Sequence, residues 1–396
     1  MGFWHNRVVS AGVLAAAVCA AGSGVMGQTT AVRGAATAPA AGGGGAVVEE
    51  AADPAVPPMA AAVARTAATA PAARGGGGAS AGVTAASWPM EVNATNKVAK
   101  QLRINIAWQV ALEASDFSPG IIDGAFGKKG TMALTEYAAR NFPGVDKFDK
   151  SVYDTLNVDV AGAVVMYTVT EDDAAQVGGP LPEDWNAKAR LSRLNYESFT
   201  DCLAEKFHCT QGLLAKLNPG MKLDKLAVGS QLVVPNVRPF PTDYVLKVEK
   251  RVGAASVMVN LGEKTIRVFG PAGEQLALFH CSVAKDKNKL PDRDTKVQLI
   301  ASPNPQYTFN PSMWPEVHNV TQVLQIPPGP RNPVGLSWVQ LDLPGYGIHG
   351  VPKPELIGKT GSHGCFRLTN WDALKFAGWV RVGMAVKVVN PDKNPE

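Results

Sequence analysis

The sequence predicts a multidomain chain: a mostly β C-terminal domain, sandwich- or barrel-like with one main helix, behind small α and α+β modules. Three observations carry this. Residues 28–87 are almost entirely Ala, Gly, Pro, Thr and Val, whereas the remainder has the composition of folded protein. Apolar residues recur at helical spacing at Val98, Leu102, Ile106 and Val110. From Thr242 onward they alternate instead, as in residues 257–261 and 265–269. The 396 residues exceed one ordinary domain, so two or three are expected. A net charge of +4 with no basic cluster among aromatics excludes a nucleic-acid partner.

The N-terminus reads as an export signal. His5 and Arg7 make a short basic start, residues 8–21 are apolar, and small residues follow to Gly27. That run is shorter than the roughly 20 residues needed to cross a bilayer. Residues 1–27 are therefore expected to be a secretory signal peptide, leaving no transmembrane span in a mature protein of the periplasm or cell envelope. Cys19 invites a lipidation reading, but Val18 precedes it where a lipobox takes a small residue. Residues 28–90 lack large side chains to bury and are expected to be a disordered linker that supplies reach.

In residues 91–160 the first helical pattern runs into Pro119-Gly120-Ile121-Ile122-Asp123-Gly124-Ala125-Phe126-Gly127, then a second helix over 131–141. Asp123 and Gly124 suit the turn between them. This resembles the small peptidoglycan-binding helical module; a hairpin used only for packing is the alternative. Residues 165–238 open on Tyr167-Thr168-Val169-Thr170, continue through helices at 198–208 and 213–217, and close on Gly229-Ser230-Gln231-Leu232-Val233-Val234-Pro235. That order is similar to a LysM module, which implies glycan contact by the front modules. An insertion at 173–195 departs from the LysM pattern where the sugar groove is normally built, so a scaffold-only module stands beside that reading. Cys202 and Cys209 lie seven residues apart. On one straight helix that is about 10 Å, too far for a disulfide. Either the helix ends near 206–208 and they bridge, or both are buried thiols.

In residues 242–391 strands are expected at 245–248, 257–261, 265–269, 276–283, 296–301, 337–341 and 385–389, with Gly262-Glu263 turning a hairpin. Cys281 falls in one of them as a core residue. Thr369 followed by Asp372 marks a capping-box start for the one helix, 370–380. Residues 302–333 hold eight prolines and form a long loop, the kind that walls a functional site.

Chemistry concentrates in Tyr346-Gly347-Ile348-His349-Gly350 and Ser362-His363-Gly364-Cys365-Phe366-Arg367. A cysteine attacks as its thiolate, and a nearby imidazole is the usual way to form one. Glycines beside the thiol let backbone N–H groups approach a developing oxyanion. These residue types point to acyl transfer by cysteine. A zinc site would want paired spacing such as C-x-x-C, which is absent, so neither metal nor cofactor is expected.

With these residues in view, the stretch from 244 to 390 resembles the L,D-transpeptidase catalytic domain of the YkuD type. The family signature is a His-Gly on a strand and a Ser/Thr-His-Gly-Cys-x-Arg segment downstream. Every position is matched, with sixteen residues from His349 to Cys365; the family's TP-x-G is replaced by Leu290-Pro291-Asp292-Arg293-Asp294. The resemblance implies Cys365 as nucleophile and His349 as its general base, oriented by the Gly350 carbonyl. It implies His363 with the N–H groups of Gly364 and Cys365 at the oxyanion, and Ser362 bonding within the turn. Arg367 would either brace the loop or meet a substrate carboxylate. The implied partners are peptidoglycan stem peptides: a tetrapeptide donor that loses D-alanine and a diaminopimelate-type acceptor amine, joined as a 3→3 cross-link. With water or a lipoprotein amine as acceptor, the same site is an L,D-carboxypeptidase or an anchoring enzyme. A non-catalytic wall-binding protein is the rival from another class.

Overall fold

The computed structural model describes residues 83–85, 97–239, 248–291, 293–314, 317–359 and 364–391. The expected signal peptide, all but 83–85 of the expected linker, most of the strand expected at 245–248, and Ser362 and His363 lie outside them. Among the described residues no helix is long and apolar enough to cross a membrane.

The first module packs helices α1 (Lys97–Ala114), α2 (Lys128–Asn141) and α3 (Lys150–Thr155). Between α1 and α2 the Asp123 carboxylate accepts from the Ala125 N–H at 2.8 Å and from Gln109 Nε2 at 3.0 Å. Gly124 sits at φ +78, and a Cβ there would overlap the Leu102 side chain, so only glycine fits this turn.

In the second module β1 (Val83–Ala85) pairs with β2 (Val164–Thr168), which pairs with β3 (Gln231–Pro235), all antiparallel. The stretch expected to be unstructured linker thus ends in an edge strand; β2 offers a free edge, and three small or β-branched residues complete it. Helices α4 (Glu171–Ala175), α5 (Trp185–Ala189), α6 (Phe199–Lys206) and α7 (Gln211–Leu217) follow β2. Helix α6 ends before Cys209 and His208 adopts φ +56, yet Cys202 and Cys209 are separate buried thiols, both pushed up in pKa by burial.

The insertion at 173–195 lies on the proline-rich loop. Leu194, Trp185 and Leu181 pack with Phe309, Val320, Leu324 and Ile326, and Trp185 stacks on Phe309 at 4.2 Å. The Leu194 N–H donates to the Pro328 carbonyl at 2.9 Å, and the Leu194 carbonyl accepts from the Arg331 N–H at 3.1 Å. Gly329 has φ +138, and a Cβ on it would overlap the Leu194 backbone. Gly329→Ala is therefore expected to loosen this clamp: a lower urea midpoint, and faster proteolytic cutting within 181–194.

The C-terminal domain strings β4 (Ser256–Asn260), β5 (Thr265–Phe269), β6 (Gln275–His280), β7 (Thr295–Ala301), β8 (Tyr307–Phe309), β9 (Leu324–Ile326), β10 (Trp338–Leu341), β11 (Gly347–His349), β12 (Phe366–Arg367), helix α8 (Asn370–Trp379) and β13 (Ala385–Val389). Eight of the strands form one sheet in the order β12-β11-β10-β7-β13-β4-β5-β6, and β8 and β9 pair separately as a hairpin. The sheet curls until its ends meet: Ser282, just past β6, exchanges two backbone hydrogen bonds with Arg367 of β12, at 2.9 and 3.0 Å. Val257, Val259, Ile266, Val268, Phe279, Val339, Ile348, Phe366, Val386 and Phe376 of α8 fill the interior. The cap on α8 is in place, Thr369 Oγ1 accepting from the Asp372 N–H at 3.2 Å, but the Asp372 carboxylate accepts from Ser118 Oγ of the first module at 2.9 Å.

Charged side chains tie the modules together. Glu113 of α1 accepts from Lys375 Nζ of α8 at 2.6 Å and lies 2.9 Å from His208 Nδ1. Arg267 of β5 pairs with Glu136 of α2 at 2.6 Å, and Arg331 bridges Asp201 and Glu205 of α6.

Candidate active site

Strands β11 and β12 run parallel, with Ile348 opposite Phe366 and His349 opposite Arg367. Side chains alternate across a strand, so Ile348 and Phe366 enter the core while His349, Cys365 and Arg367 share the other face. Sequence order, strand register and the core's demand for Ile348 and Phe366 therefore bring thiol, imidazole and guanidinium to one surface. The Leu368 N–H donates to the His349 carbonyl at 2.8 Å, and the Ser282 bridge holds the other side of β12.

His349 is 4% exposed, and its Nδ1 lies 2.6 Å from the Gly350 carbonyl oxygen. A carbonyl only accepts, so Nδ1 carries the proton and Nε2 presents a lone pair. Burial pushes the imidazole pKa down to about 4; the Gly350 carbonyl opposes that and the Arg367 charge adds to it. Trp338, opposite His349 across β10 and β11, lies 5.4 Å from it ring to ring, in space a side chain on Gly347 would occupy.

Cys365 is half-buried and its Sγ–H donates to the Gly345 carbonyl at 3.4 Å. Burial pushes the thiol up, opposed by backbone hydrogen bonding from Gly347 and by the Arg367 charge. Burial thus favours the uncharged form of both groups. Such a pair can make a thiolate when the proton moves as a carbonyl is attacked.

Two tyrosines also reach the site: Tyr307, which the sequence did not mark, and Tyr346, the first residue of the marked fragment. Tyr307, at the start of β8, lies within electrostatic reach of Cys365 and Arg367, and its phenol is pushed up by burial and hydrogen-bonded by Trp314. Tyr346 donates from its hydroxyl to the Lys289 carbonyl at 2.8 Å, with its ring beside Gly364. The one available signal for Tyr307 was its alternation with Phe309, and three residues are too few to read.

Residues 254–388 match the family model of the L,D-transpeptidase catalytic domain, YkuD. YkuD of Bacillus licheniformis is 25% identical over 189 residues, covering 48% of this chain and 92% of that protein. YkuD of Bacillus subtilis is 23% identical over 186 residues, covering 47% and 90%. A crystal structure of an Enterococcus faecium L,D-transpeptidase variant is 18% identical with a TM-score of 0.27, covering 35% of this chain and 50% of that one, so the chain spans half of that structure's length. The curled sheet that carries His349, Cys365 and Arg367 on one face is the part of the chain that matches the L,D-transpeptidase catalytic domain.

Proposed function

We propose that this protein is an exported L,D-transpeptidase that joins peptidoglycan stem peptides through a thioester on Cys365. The observation that carries the reading is the His349 imidazole, its Nδ1–H tied to the Gly350 carbonyl and its Nε2 without a partner among the described residues, on the strand paired with the segment that follows Cys365. In this mechanism Nε2 takes the Sγ proton as sulfur attacks the carbonyl before the terminal D-alanine of a tetrapeptide stem. The N–H groups of Gly364 and Cys365, with His363, meet the oxyanion, and Ser362 stabilises their turn. Collapse breaks the C–N bond, the imidazolium returns its proton to the leaving amine, and D-alanine departs. A diaminopimelate-type amine on a second stem then attacks the thioester, giving a 3→3 cross-link and restoring the thiol. Arg367 sits beside Cys365 and lowers the cost of the thiolate. Its backbone closure with Ser282 equally suits the bracing role, and both follow from one position. The hairpin of β8 and β9 walls the site on the Tyr307 side, which favours an amine over water.

The test is incubation with a defined disaccharide-tetrapeptide. Free D-alanine, a cross-linked dimer, and a transient thioester mass on Cys365 are expected. Release of D-alanine without dimer would make the protein an L,D-carboxypeptidase, and no thioester with no D-alanine would overturn the enzymatic reading in favour of a wall-binding protein.

A further inference from the structure

We infer that Glu205 of the second module is a positioning residue of the candidate active site, acting through Asn370 on Gly350 and so on His349. This rests on the proposed role of His349 as base. The imidazole is oriented by one atom, the Gly350 carbonyl oxygen, so whatever fixes the Gly350 peptide fixes the base.

Three contacts fix it. The Gly350 N–H donates to the Ser337 carbonyl at 3.1 Å. The Cα face of Gly350 packs so closely on Asn370 Oδ1 that a Cβ would overlap it, and a Cβ on Gly335 would overlap the same oxygen and the Gly350 backbone. Asn370 Oδ1 also accepts from the Leu336 N–H at 3.0 Å, stitching the 335–337 segment to the same point. The Asn370 amide is therefore the block against which Gly350 rests, and its rotation about χ2 decides where that block lies.

Oδ1 alone does not set that rotation. Asn370 Nδ2 donates to Glu205 Oε1 at 2.6 Å and to the Pro330 carbonyl at 3.3 Å. The shorter bond goes to a carboxylate, and charge-assisted hydrogen bonds are the stronger ones. Glu205 and Asn370 are buried, 2% and 0% exposed, so no water replaces this acceptor cheaply. Glu205 is held in turn by Arg331 Nη1 on its Oε2 at 2.8 Å. The helix supplying this carboxylate belongs to the module that resembles a glycan reader, 165 positions from Asn370 in sequence. Its attachment to the β domain is thus part of the catalytic geometry and not only a docking contact.

The experiment compares Glu205→Leu with Glu205→Gln in the full chain. Leucine removes the acceptor. Glutamine keeps an amide oxygen for Asn370 Nδ2 but turns an amide NH2 toward Arg331, which loses both the charge and the acceptor it uses. For Glu205→Leu, kcat is expected to fall about tenfold to a hundredfold with KM within about threefold, the scale of a small misplacement of a reacting group. The His349 Nδ1–H proton resonance is expected to shift or broaden. Glu205→Gln is expected to hold kcat within about threefold of wild type and leave that resonance in place, while melting lower than wild type through the loss at Arg331. If Glu205→Leu does not fold, Glu205→Asp keeps the charge and withdraws the acceptor by one methylene, and a reduced kcat with a moved resonance is again expected. A folded Glu205→Leu or Glu205→Asp with wild-type kcat and an unmoved His349 resonance overturns the inference. So does a Glu205→Gln protein as impaired in kcat as Glu205→Leu. Failure of the transpeptidase reading is seen separately, as a wild-type protein that forms no thioester, and the resonance still reports on the relay in that event.

Discussion

His349→Ala is expected to lower kcat by about a hundredfold to ten-thousandfold, the usual worth of a positioned general base, and Cys365→Ala to abolish thioester formation. The pH dependence separates this site from one with a preformed ion pair. Because burial holds the His349 imidazole down near 4, the base stays unprotonated across the ordinary assay range. The acid limb of kcat/KM is therefore expected near pH 4, with a plateau from about pH 5 to 8. A limb near the unperturbed histidine value of about 6.5 would contradict the uncharged resting pair. The same group affects stability, with a fixed sign. Its folded pKa lies below its unfolded value, so between about 6.5 and 4 the unfolded chain binds more protons and stability falls as pH falls. The shift amounts to about 3 kcal/mol, fully present above the unfolded pKa. His349→Gln lacks that titration, so its stability relative to wild type should improve by up to that amount between pH 7 and pH 4. Urea unfolding at the two pH values checks this.

Lys375→Met should cost about 3–5 kcal/mol, because the buried Glu113 carboxylate loses its ammonium partner and keeps only His208 beside it. Burial alone would push the Glu113 carboxyl up, but Lys375 and His208 more than offset it and hold it far below the usual carboxylate range. Glu113 is 3% exposed, and Lys375 Nζ donates both to its carboxylate and to its backbone carbonyl, at 2.6 and 2.5 Å. Asp116, two residues past the end of that helix, pairs with Arg251 at 2.5 Å and lies 3.6 Å from Lys375 Nζ. In the wild type the depressed Glu113 pKa contributes stability above its unfolded value that is lost as pH falls below it. In Lys375→Met the carboxyl pKa rises, so the variant should recover relative to wild type below about pH 5, where Glu113 takes a proton. A second variant, Glu113→Leu with Lys375→Leu, removes both charges and should recover most of the loss at neutral pH. Equal losses for the single and double variants would contradict an ion-pair origin.

The β domain was legible where a strand is long enough to alternate. Residues 257–261 and 265–269 read as a hairpin because apolar side chains alternate there, and the paired strands run over 256–260 and 265–269. Strands β11 and β12, three and two residues long, were invisible to that rule although they carry the site. The place of β11 came from the resemblance to the L,D-transpeptidase signature, which puts His349-Gly350 on a strand, and β12 was not expected. The β8–β9 hairpin was hidden among the prolines of the long loop, and Tyr307 with it. Asn370 read only as the first residue of a helix, because its bond to Glu205 joins segments that no local pattern connects. The charged seams were unreadable for the same reason: Glu113 and Lys375 each look like ordinary helix-surface residues until the helices meet.

The central strand of the eight-stranded sheet is the last one the ribosome makes. β13 lies between β7 and β4, pairing antiparallel with the first at Ala385 and Val386 and parallel with the second along its whole length. Without residues 385–389 the sheet falls into two halves, β4–β6 and β7 with β10–β12, and the strand hydrogen bonds left between them among the described residues are those of Ser282 with Arg367. The half with His349 and Cys365 then has an open edge and a core missing Val386 and Val388. Assembly must wait for contacts between chain ends far apart in sequence, which makes it slow and all-or-none. A chain clipped before residue 385 therefore keeps Cys365 and His349 but lacks the strand that joins the two halves of the sheet around them.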